Sequence, residues 1–278
     1  MIDGILTREL HAMSREDRAA VLLSGGVDSV SVAFAAHRLG KKITAYTFHL
    51  DGQPSYDSQK AENIAKHMGW DVCTVVVPID NIERDFIRLA KEVYCEKKTH
   101  FECCFPFLYV YPQIKEHEVL SGWAADGYYG VSKKANIHYK HTKEKFDEFR
   151  KEYFMQNNRA GYVWHKRIAE EIHKKRFIAP YLDPAVASFF MNKDWHELNQ
   201  PFQKHHVVEA FPEFEQIGGV KKHINLQLGS GIDKLFEREV LSNSRLNFNN
   251  RKRVMDVCRD WSAHYNEEQQ STLEDFFA

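Results

Sequence analysis

The 278-residue sequence has no long hydrophobic run, and this absence excludes one class of protein. No window approaches the roughly 18 consecutive apolar residues that a membrane-spanning helix needs. The N-terminal segment, residues 1–17, is charged along its length and lacks the apolar core of a secretory signal peptide. We therefore expect a soluble, cytoplasmic protein.

The sequence also has little net charge and few cysteines. Its 38 Lys and Arg residues balance 39 Asp and Glu residues, giving a formal net charge of −1. This balance argues against a protein that holds nucleic acid by bulk electrostatics, so nucleic acid is not a favoured partner. The five cysteines are an odd number, which is typical of thiols in a reducing compartment. A hydrophobic content of 43% is typical of a globular protein, and a chain of this length can bury a large core without disulfides.

The first 132 residues alternate apolar strands with helices, whereas the rest reads mainly as helices. Strands are predicted at 19–23, 42–50, 70–77 and 118–121, and helices at 3–17, 27–39 and 57–68. Alternation of this kind implies a parallel sheet with right-handed crossovers. We predict one α/β unit over residues 1–278, with a doubly wound, Rossmann-like part at 1–132 and a mainly helical part at 133–278.

The most specific motif is residues 24–29 (SGGVDS), a glycine turn between the first predicted strand and a helix. Glycines let backbone N–H groups approach an anion, and the N-terminus of the following helix adds partial positive charge. Ser24 and Ser29 can donate hydrogen bonds to phosphate oxygens, whereas phosphate repels Asp28 unless a magnesium ion lies between them. The motif therefore predicts a phosphate site, with a purely structural turn as the alternative. Neither GxxxxGK[ST] nor GxGxxG occurs in the sequence.

The motif at 24–29 resembles the PP-loop of the N-type ATP pyrophosphatases, which cleave ATP between the α and β phosphates. Three further segments are similar, in the same order, to the synthetase domains of asparagine synthetases and β-lactam synthetases. They are residues 120–130 (LSGWAADGYYG), 176–183 (RFIAPYLD) and 204–231. The resemblance implies an adenine nucleotide alpha hydrolase-like fold and ATP and Mg²⁺ as cofactors. The implied activity is an asparagine synthetase-like carbon–nitrogen ligase that forms AMP and pyrophosphate.

The resemblance also implies roles for charged residues. Asp28 and Asp126 would hold magnesium on the triphosphate. Lys204, together with Lys221 or Lys222, would neutralise the leaving pyrophosphate and the charge that grows on the adenylated intermediate. We favour Lys222 over Lys221 for this second lysine.

Nucleotide binding is expected at the end of the first two strands and at a second glycine turn. The resemblance implies that Phe48 and Gly122 flank the adenine and that the PP-loop cradles the pyrophosphate end. The nucleotide-binding residues predicted in this way are Leu23, Ser24, Gly25, Gly26, Asp28, Ser29, Phe48 and Gly122.

Two departures from the synthetases bear on the substrate. Trp123 stands where that group carries Glu or Tyr, and an indole has only an N–H donor and cannot act as a base. We therefore expect a small-molecule carboxylate or amide substrate other than aspartate handled in the usual way, chosen partly by Trp123 and the loop at 50–57. Only about 18 residues precede the first predicted strand, so we expect no glutaminase domain in this chain. Nitrogen would come from ammonia, an amine, or a separate glutaminase or carrier partner.

Two other functions stay open. The first is a PP-loop thiolase acting on a nucleobase or tRNA, which needs a reactive cysteine that Cys103 or Cys104 could supply. The second is a non-catalytic ATP-binding subunit of an amidotransferase, which Trp123 favours. We interpret Cys95, His100 and the adjacent Cys103 and Cys104 as structural, because adjacent cysteines lack the usual chelate spacing.

Histidines and basic residues elsewhere offer weaker signals. His205 and His206 follow Lys204 directly, and we interpret them as surface residues rather than ligands or acid–base groups. The Lys- and Glu-rich stretch at 140–176 is interpreted as a solvated helical face, and the short basic cluster at 249–253 as incidental.

Overall fold

A computed structural model describes residues 1–95, 98–130, 137, 142–155, 162–219 and 226–241. Five strands lie within these ranges: Arg18–Leu22 (β1), Lys42–Leu50 (β2), Asp71–Val77 (β3), Glu118–Leu120 (β4) and Arg176–Ile178 (β5). The helices of the first half are Ile2–Met13 (α1), Val27–Arg38 (α2), Tyr56–Met68 (α3), Ile82–Glu92 (α4), Lys98–Cys104 (α5), Phe107–Val110 (α6) and Ala125–Tyr129 (α7).

The later described residues are mostly helical. Their α-helices are Lys143–Met155 (α8), Tyr162–Arg167 (α9), Pro184–Met191 (α10), Trp195–Asn199 (α11), His205–Ala210 (α12), Glu213–Gln216 (α13), Leu226–Ser230 (α14) and Ile232–Phe236 (α15). Short 3-10 turns occupy Tyr111–Gln113 and Pro180–Leu182, and π turns occupy Ile168–Ile172 and Glu237–Leu241. Among the residues described, no helix is long and apolar enough to cross a bilayer.

The five strands form one parallel sheet in the order β3-β2-β1-β4-β5. From β1 the chain adds strands outward on one side, through β2 to β3, and then returns to add β4 and β5 on the other side. The order therefore reverses between β1 and β4. In sheets of this kind ligands bind at the carboxyl edge beside such a reversal, where the loops diverge and leave a crevice.

Helices cover both faces of the sheet. Alternate residues of β1 point to opposite sides: Ala20 and Leu22 belong to a core with α4, α5 and α6, while Ala19 and Val21 belong to a second core with α1 and α2. This two-sided burial explains why the strands read as continuous apolar runs rather than alternating ones. The predicted doubly wound α/β class is confirmed.

The fifth strand was not predicted from the sequence. β5 has only three residues, too few to show a periodicity. Its position follows from the register that pairs Glu118 of β4 with Arg176 of β5. The two side chains form an ion pair at 2.9 Å. Because β5 follows residue 133, the sheet draws on both of the parts that the sequence separated.

Candidate functional site

The SGGVDS turn connects the end of β1 to the start of α2 at the carboxyl edge of the sheet. Gly25 has φ +71°, which favours glycine, and Gly26 is the extended residue that precedes α2. The hydroxyl oxygens of Ser24 and Ser29 lie 3.1 Å apart, and the backbone N–H of Ser24 donates to Ser29 Oγ at 3.2 Å. These contacts hold both predicted phosphate-binding hydroxyls on one side of the turn.

Gly122 lies directly against this turn. A Cβ atom at position 122 would sit 2.5 Å from the carbonyl carbon of Asp28 and 2.6 Å from the backbone nitrogen of Ser29. Real Cβ atoms do not approach backbone so closely, so only glycine fits where the loop after β4 crosses the start of α2. The glycine turn after β1 and the glycine turn after β4 therefore touch at the point where the strand order reverses. The expected role of Gly122 beside an adenine stays a prediction.

Lys204 joins the two acidic residues that the sequence singled out. Its Nζ donates to Asp28 Oδ2 at 2.5 Å and to Asp126 Oδ1 at 2.6 Å. Asp28 comes from α2 and Asp126 from α7, and Lys204 precedes α12 with φ +67°. Three residues that are far apart in the chain thus meet in one cluster at the switch point.

The charge state of this cluster follows from its contacts. Lys204 is only 8% exposed, and burial alone disfavours its charged form. The carboxylates of Asp126 and Asp28 outweigh burial and raise the pKa of Lys204 above its ordinary value. The ammonium therefore stays charged across the physiological range of pH.

The same cluster fits a divalent cation. Because both carboxylate oxygens contact one ammonium, they lie at most about 5 Å apart. Two carboxylates at this separation are within reach of one hard cation such as Mg²⁺, which binds oxygen ligands. An ion bound there competes with Lys204 for the same oxygens.

Two buried tyrosines, Tyr128 and Tyr181, link the segment after β5 to α7 and α2. The hydroxyl of Tyr181 lies 2.7 Å from Ser31 Oγ on α2, and Tyr128 donates to the backbone carbonyl of Tyr181 at 2.6 Å. Burial first, and then the charge of Asp28, raises the pKa of Tyr181 well above its ordinary value, so the phenol stays neutral. The segment at 176–183 thus contributes β5 and a polar contact to α2.

The remaining predicted residues fall in three places. Leu23 is buried at the end of β1 and donates its N–H to the carbonyl of Tyr46 at 2.8 Å. Phe48 lies on β2, and its ring meets Phe107 edge to face at 5.7 Å. The predicted catalytic residues Lys221 and Lys222 lie outside the described residues, in the range 220–225.

Lys60 is a residue of this region that the sequence analysis missed. It lies on α3, it is 9% exposed, and its aliphatic chain covers Gly25 of the turn. A lysine in a helix rich in charged residues is normally interpreted as solvated. The available signal was its position four residues before the buried Ile64, which puts both on one face of α3.

Trp123, which follows Gly122, packs against a buried histidine on α9. Trp123 is partly buried, and its ring centroid lies 4.9 Å from that of His165 on α9. Burial lowers the pKa of His165 to about 4, so the imidazole is neutral, and its Nε2 lies 2.9 Å from the carbonyl of Cys103. No pattern in the sequence indicated His165.

Cys103 and Cys104 are buried and protonated. Burial raises the pKa of the Cys103 thiol to about 12 and that of Cys104 well above its ordinary value. The thiolate is the nucleophilic form of cysteine, so neither residue is suited to carry a reactive persulfide. Within the described ranges these cysteines belong to no group of three potential metal ligands.

The interpretation of His205 as a surface residue is wrong. His205 is 8% exposed, and its Nε2 lies 2.8 Å from the backbone carbonyl of Glu197. Ligand atoms of His205, His206 and Glu209 lie within 4.8 Å of one another, so the three side chains could hold a metal ion. The start of α12 buries His205 because Lys204, the preceding residue, turns inward to the acidic cluster.

Comparison with known proteins agrees with this geometry. A family model described as asparagine synthase matches residues 6–179, which is more than half of the chain. No curated protein matches the chain. The matched range holds the SGGVDS turn, Gly122 and Asp126, whereas Lys204 lies beyond it. With its glycine turns and acidic pair in the same range as the match, the chain belongs to the asparagine synthase family of ATP-dependent synthetases.

Proposed function

We propose that the protein is an AMP- and pyrophosphate-forming carbon–nitrogen ligase. In the first step a carboxylate or amide-like oxygen of the substrate attacks the α-phosphorus of ATP. The bond between the α-phosphorus and the bridging oxygen breaks, and pyrophosphate leaves. In the second step the nitrogen of ammonia or an amine attacks the activated carbon, and AMP and a proton leave. A carboxylate then gives an amide, and an amide-like oxygen gives the corresponding amidine.

One observation carries this proposal: Lys204 binds Asp28 and Asp126 beside the SGGVDS turn, at the reversal of strand order. A phosphate-binding turn, two carboxylates and a buried ammonium are the groups that a reaction at the triphosphate requires. The turn binds oxygens of the phosphates through backbone N–H groups and the hydroxyls of Ser24 and Ser29. Orientation of the reactants over this edge supplies a large share of the rate advantage.

The acidic pair is proposed to hold magnesium. Asp28 and Asp126 would bind Mg²⁺, which neutralises phosphate charge when it is present. With Asp28 and Asp126 holding the cation, the ammonium of Lys204 would be available to the phosphates. A fixed cation aimed at charge that develops in the transition state is usually the largest catalytic contribution.

The side chains of Trp123 and His165 limit the kind of acceptor, because neither offers an exposed base. The indole offers only an N–H donor, and the imidazole of His165 lies wholly buried. The proposed acceptor is therefore a small carboxylate or amide that differs from aspartate and can pack against an aromatic surface. The nitrogen donor is ammonia or an amine, delivered directly or by a separate glutaminase or carrier partner.

The test is product analysis. The protein is incubated with ATP, Mg²⁺ and a panel of carboxylic acids and amines, and AMP and pyrophosphate are measured. We expect equal amounts of AMP and pyrophosphate that depend on both a carboxylic acid and an amine. Release of ADP and orthophosphate instead would overturn the proposal.

A non-catalytic nucleotide-binding subunit is the second candidate, and Trp123 is the observation that favours it. Tight ATP binding without turnover on any acid and amine pair would support this alternative. The thiolase alternative has no such support, because Cys103 and Cys104 are buried thiols with raised pKa values. Full turnover by Cys103→Ser and Cys104→Ser variants would exclude it.

A further inference from the structure

Lys60 carries a buried ammonium whose role the site described above does not explain. The residue is 9% exposed, and among the described residues its Nζ has no hydrogen-bond acceptor. The nearest carboxylate oxygen, on Asp57, lies 3.6 Å away, beyond hydrogen-bond distance. Nζ also lies 5.5 Å from the centre of the Tyr56 ring. A buried ammonium held by a long ion pair and a ring, but by no hydrogen bond, costs free energy, and an acceptor on a ligand would offset that cost.

The position of Lys60 relates it to the SGGVDS turn. A Cβ atom built on Gly25 would lie 2.6 Å from Cε of Lys60 and 3.1 Å from its Cγ. The stem of the lysine therefore runs over Gly25, and Nζ is one bond beyond Cε. Rotation of the last side-chain bonds carries the ammonium from Asp57 toward an anion bound on the turn.

An open space adjoins the same residues. A pocket of about 260 Å³ is lined by Gly25, Lys60, Tyr56, His67, Phe214 and Gly219. None of the described residues that line this space is acidic. The nearby carboxylate is that of Asp57, the ion-pair partner of Lys60. The pocket leaves room for the side chain of Lys60 to change rotamer when a ligand binds.

We propose that Lys60 binds a phosphate oxygen of the ligand that occupies the SGGVDS turn. In the proposed nucleotide complex this oxygen belongs to the pyrophosphate end of ATP, so the inference rests on the proposed function and adds a residue to its binding site. The ammonium gains a hydrogen bond that the described residues do not provide. Lys60 thereby approaches the phosphates from the α3 side, and Lys204 approaches from the side of α7 and α12.

The test measures binding of inorganic pyrophosphate with Mg²⁺ by titration calorimetry, which needs no turnover. Lys60→Met keeps the aliphatic stem over Gly25 and removes the charge. Lys66→Met is the matched control, because Lys66 is exposed on the same helix. A charge-assisted hydrogen bond predicts a dissociation constant that rises about ten- to hundredfold in Lys60→Met. The control keeps the wild-type value.

Two further measurements separate binding from structure. AMP lacks the β and γ phosphates, so Lys60→Met should bind AMP as the wild type does. The melting temperature of the unliganded Lys60→Met variant should equal or exceed that of the wild type, since the variant no longer buries an unsatisfied ammonium. If Lys60→Met does not fold, Lys60→Gln is measured in its place and the same change is expected.

Each outcome has one meaning. Unchanged pyrophosphate binding in the folded variant overturns the role of Lys60 and leaves the proposed function intact. A lowered melting temperature with unchanged pyrophosphate binding identifies Lys60 as structural and also overturns the inference. Failure of the wild-type protein to bind pyrophosphate or ATP overturns the proposed function itself.

Discussion

At the scale of single residues, the balance of charge around Lys204 decides what the site can do. Two carboxylates share one ammonium, with Asp28 mostly buried and Asp126 more than half exposed. The exposed side of Asp126 gives a cation a route to the pair. In the proposed metal-bound state, the internal ion pair would be replaced by the cation without opening the core.

Removing the ammonium should make folding depend on magnesium. In Lys204→Met the carboxylates of Asp28 and Asp126 lose the ammonium that lies between them, and the free energy of unfolding should fall by about 1–3 kcal/mol. Mg²⁺ should restore much of this loss, because a divalent ion can take the place of the ammonium. Urea unfolding with and without Mg²⁺ measures both effects. Lys145→Met, at an exposed position, should show neither. A loss that Mg²⁺ does not repair would contradict the metal assignment.

The acidic pair should control the metal dependence of nucleotide binding. Asp28→Asn removes one charged ligand, so the affinity gained by adding Mg²⁺ to ATP should shrink roughly tenfold or more. Titration of ATP in the presence of Mg²⁺ or EDTA gives the two dissociation constants. Asp80→Asn, at an exposed position after β3, serves as the control. An unchanged magnesium dependence would count against Asp28 as a ligand.

At the scale of elements, the close crossing of two glycine turns holds α2 against the loop after β4. The backbone of Asp28 and Ser29 leaves no room for a side chain at position 122. The crossing fixes the start of α2, which carries Asp28, against the loop that leads to α7, which carries Asp126. It therefore helps to place the two carboxylates where they share Lys204.

A single methyl group at this crossing should disturb both folding and binding. Gly122→Ala forces the start of α2 to move, at a cost of about 1–3 kcal/mol, and should weaken ATP binding. Gly4→Ala is the matched control, because no atom lies within 4 Å of the added methyl group. Alanine is favoured over glycine inside α1, so the control should gain roughly 0.5–1 kcal/mol. Equal stability of the two variants would show that the crossing tolerates movement.

At the scale of the whole molecule, stability is linked to the protonation of a core histidine. Burial lowers the pKa of His165 to about 4, whereas an unfolded histidine titrates near 6.5. Between these values the unfolded state binds more protons than the folded state. The stability that comes from His165 is therefore full above about pH 6.5 and is lost as the pH falls toward 4.

Replacement of this histidine should flatten the pH dependence. His165→Gln keeps a donor near the carbonyl of Cys103 and cannot be protonated. Between pH 6.5 and 4, the free energy of unfolding should fall less in the variant, by on the order of 2 kcal/mol. Chemical unfolding at several pH values measures the difference, with the exposed His196→Gln as the control. Parallel pH curves for His165→Gln and the wild type would rule out this origin.

The sheet could be predicted because each of its longer strands carries a local signal. β2 was predicted at its observed limits, and β1 and β3 within one residue, since each is an apolar run that ends at a turn. The SGGVDS turn could also be recognised locally, because its glycines, serines and aspartate stand in six consecutive residues. By contrast β5 has three residues, and Lys60 and His165 follow ordinary helical patterns, so no local signal marks them.

The sequence by itself determined the α/β class, the glycine turn between β1 and α2 and the identity of the acidic residues, because backbone propensity and motif chemistry act over a few neighbouring residues. Only the tertiary structure decided how these groups meet. Lys204 is 176 residues from Asp28 and 78 from Asp126, and the reversal of strand order brings all three together. Burial of Lys60 and His165 likewise depends on packing between elements, which no single segment encodes.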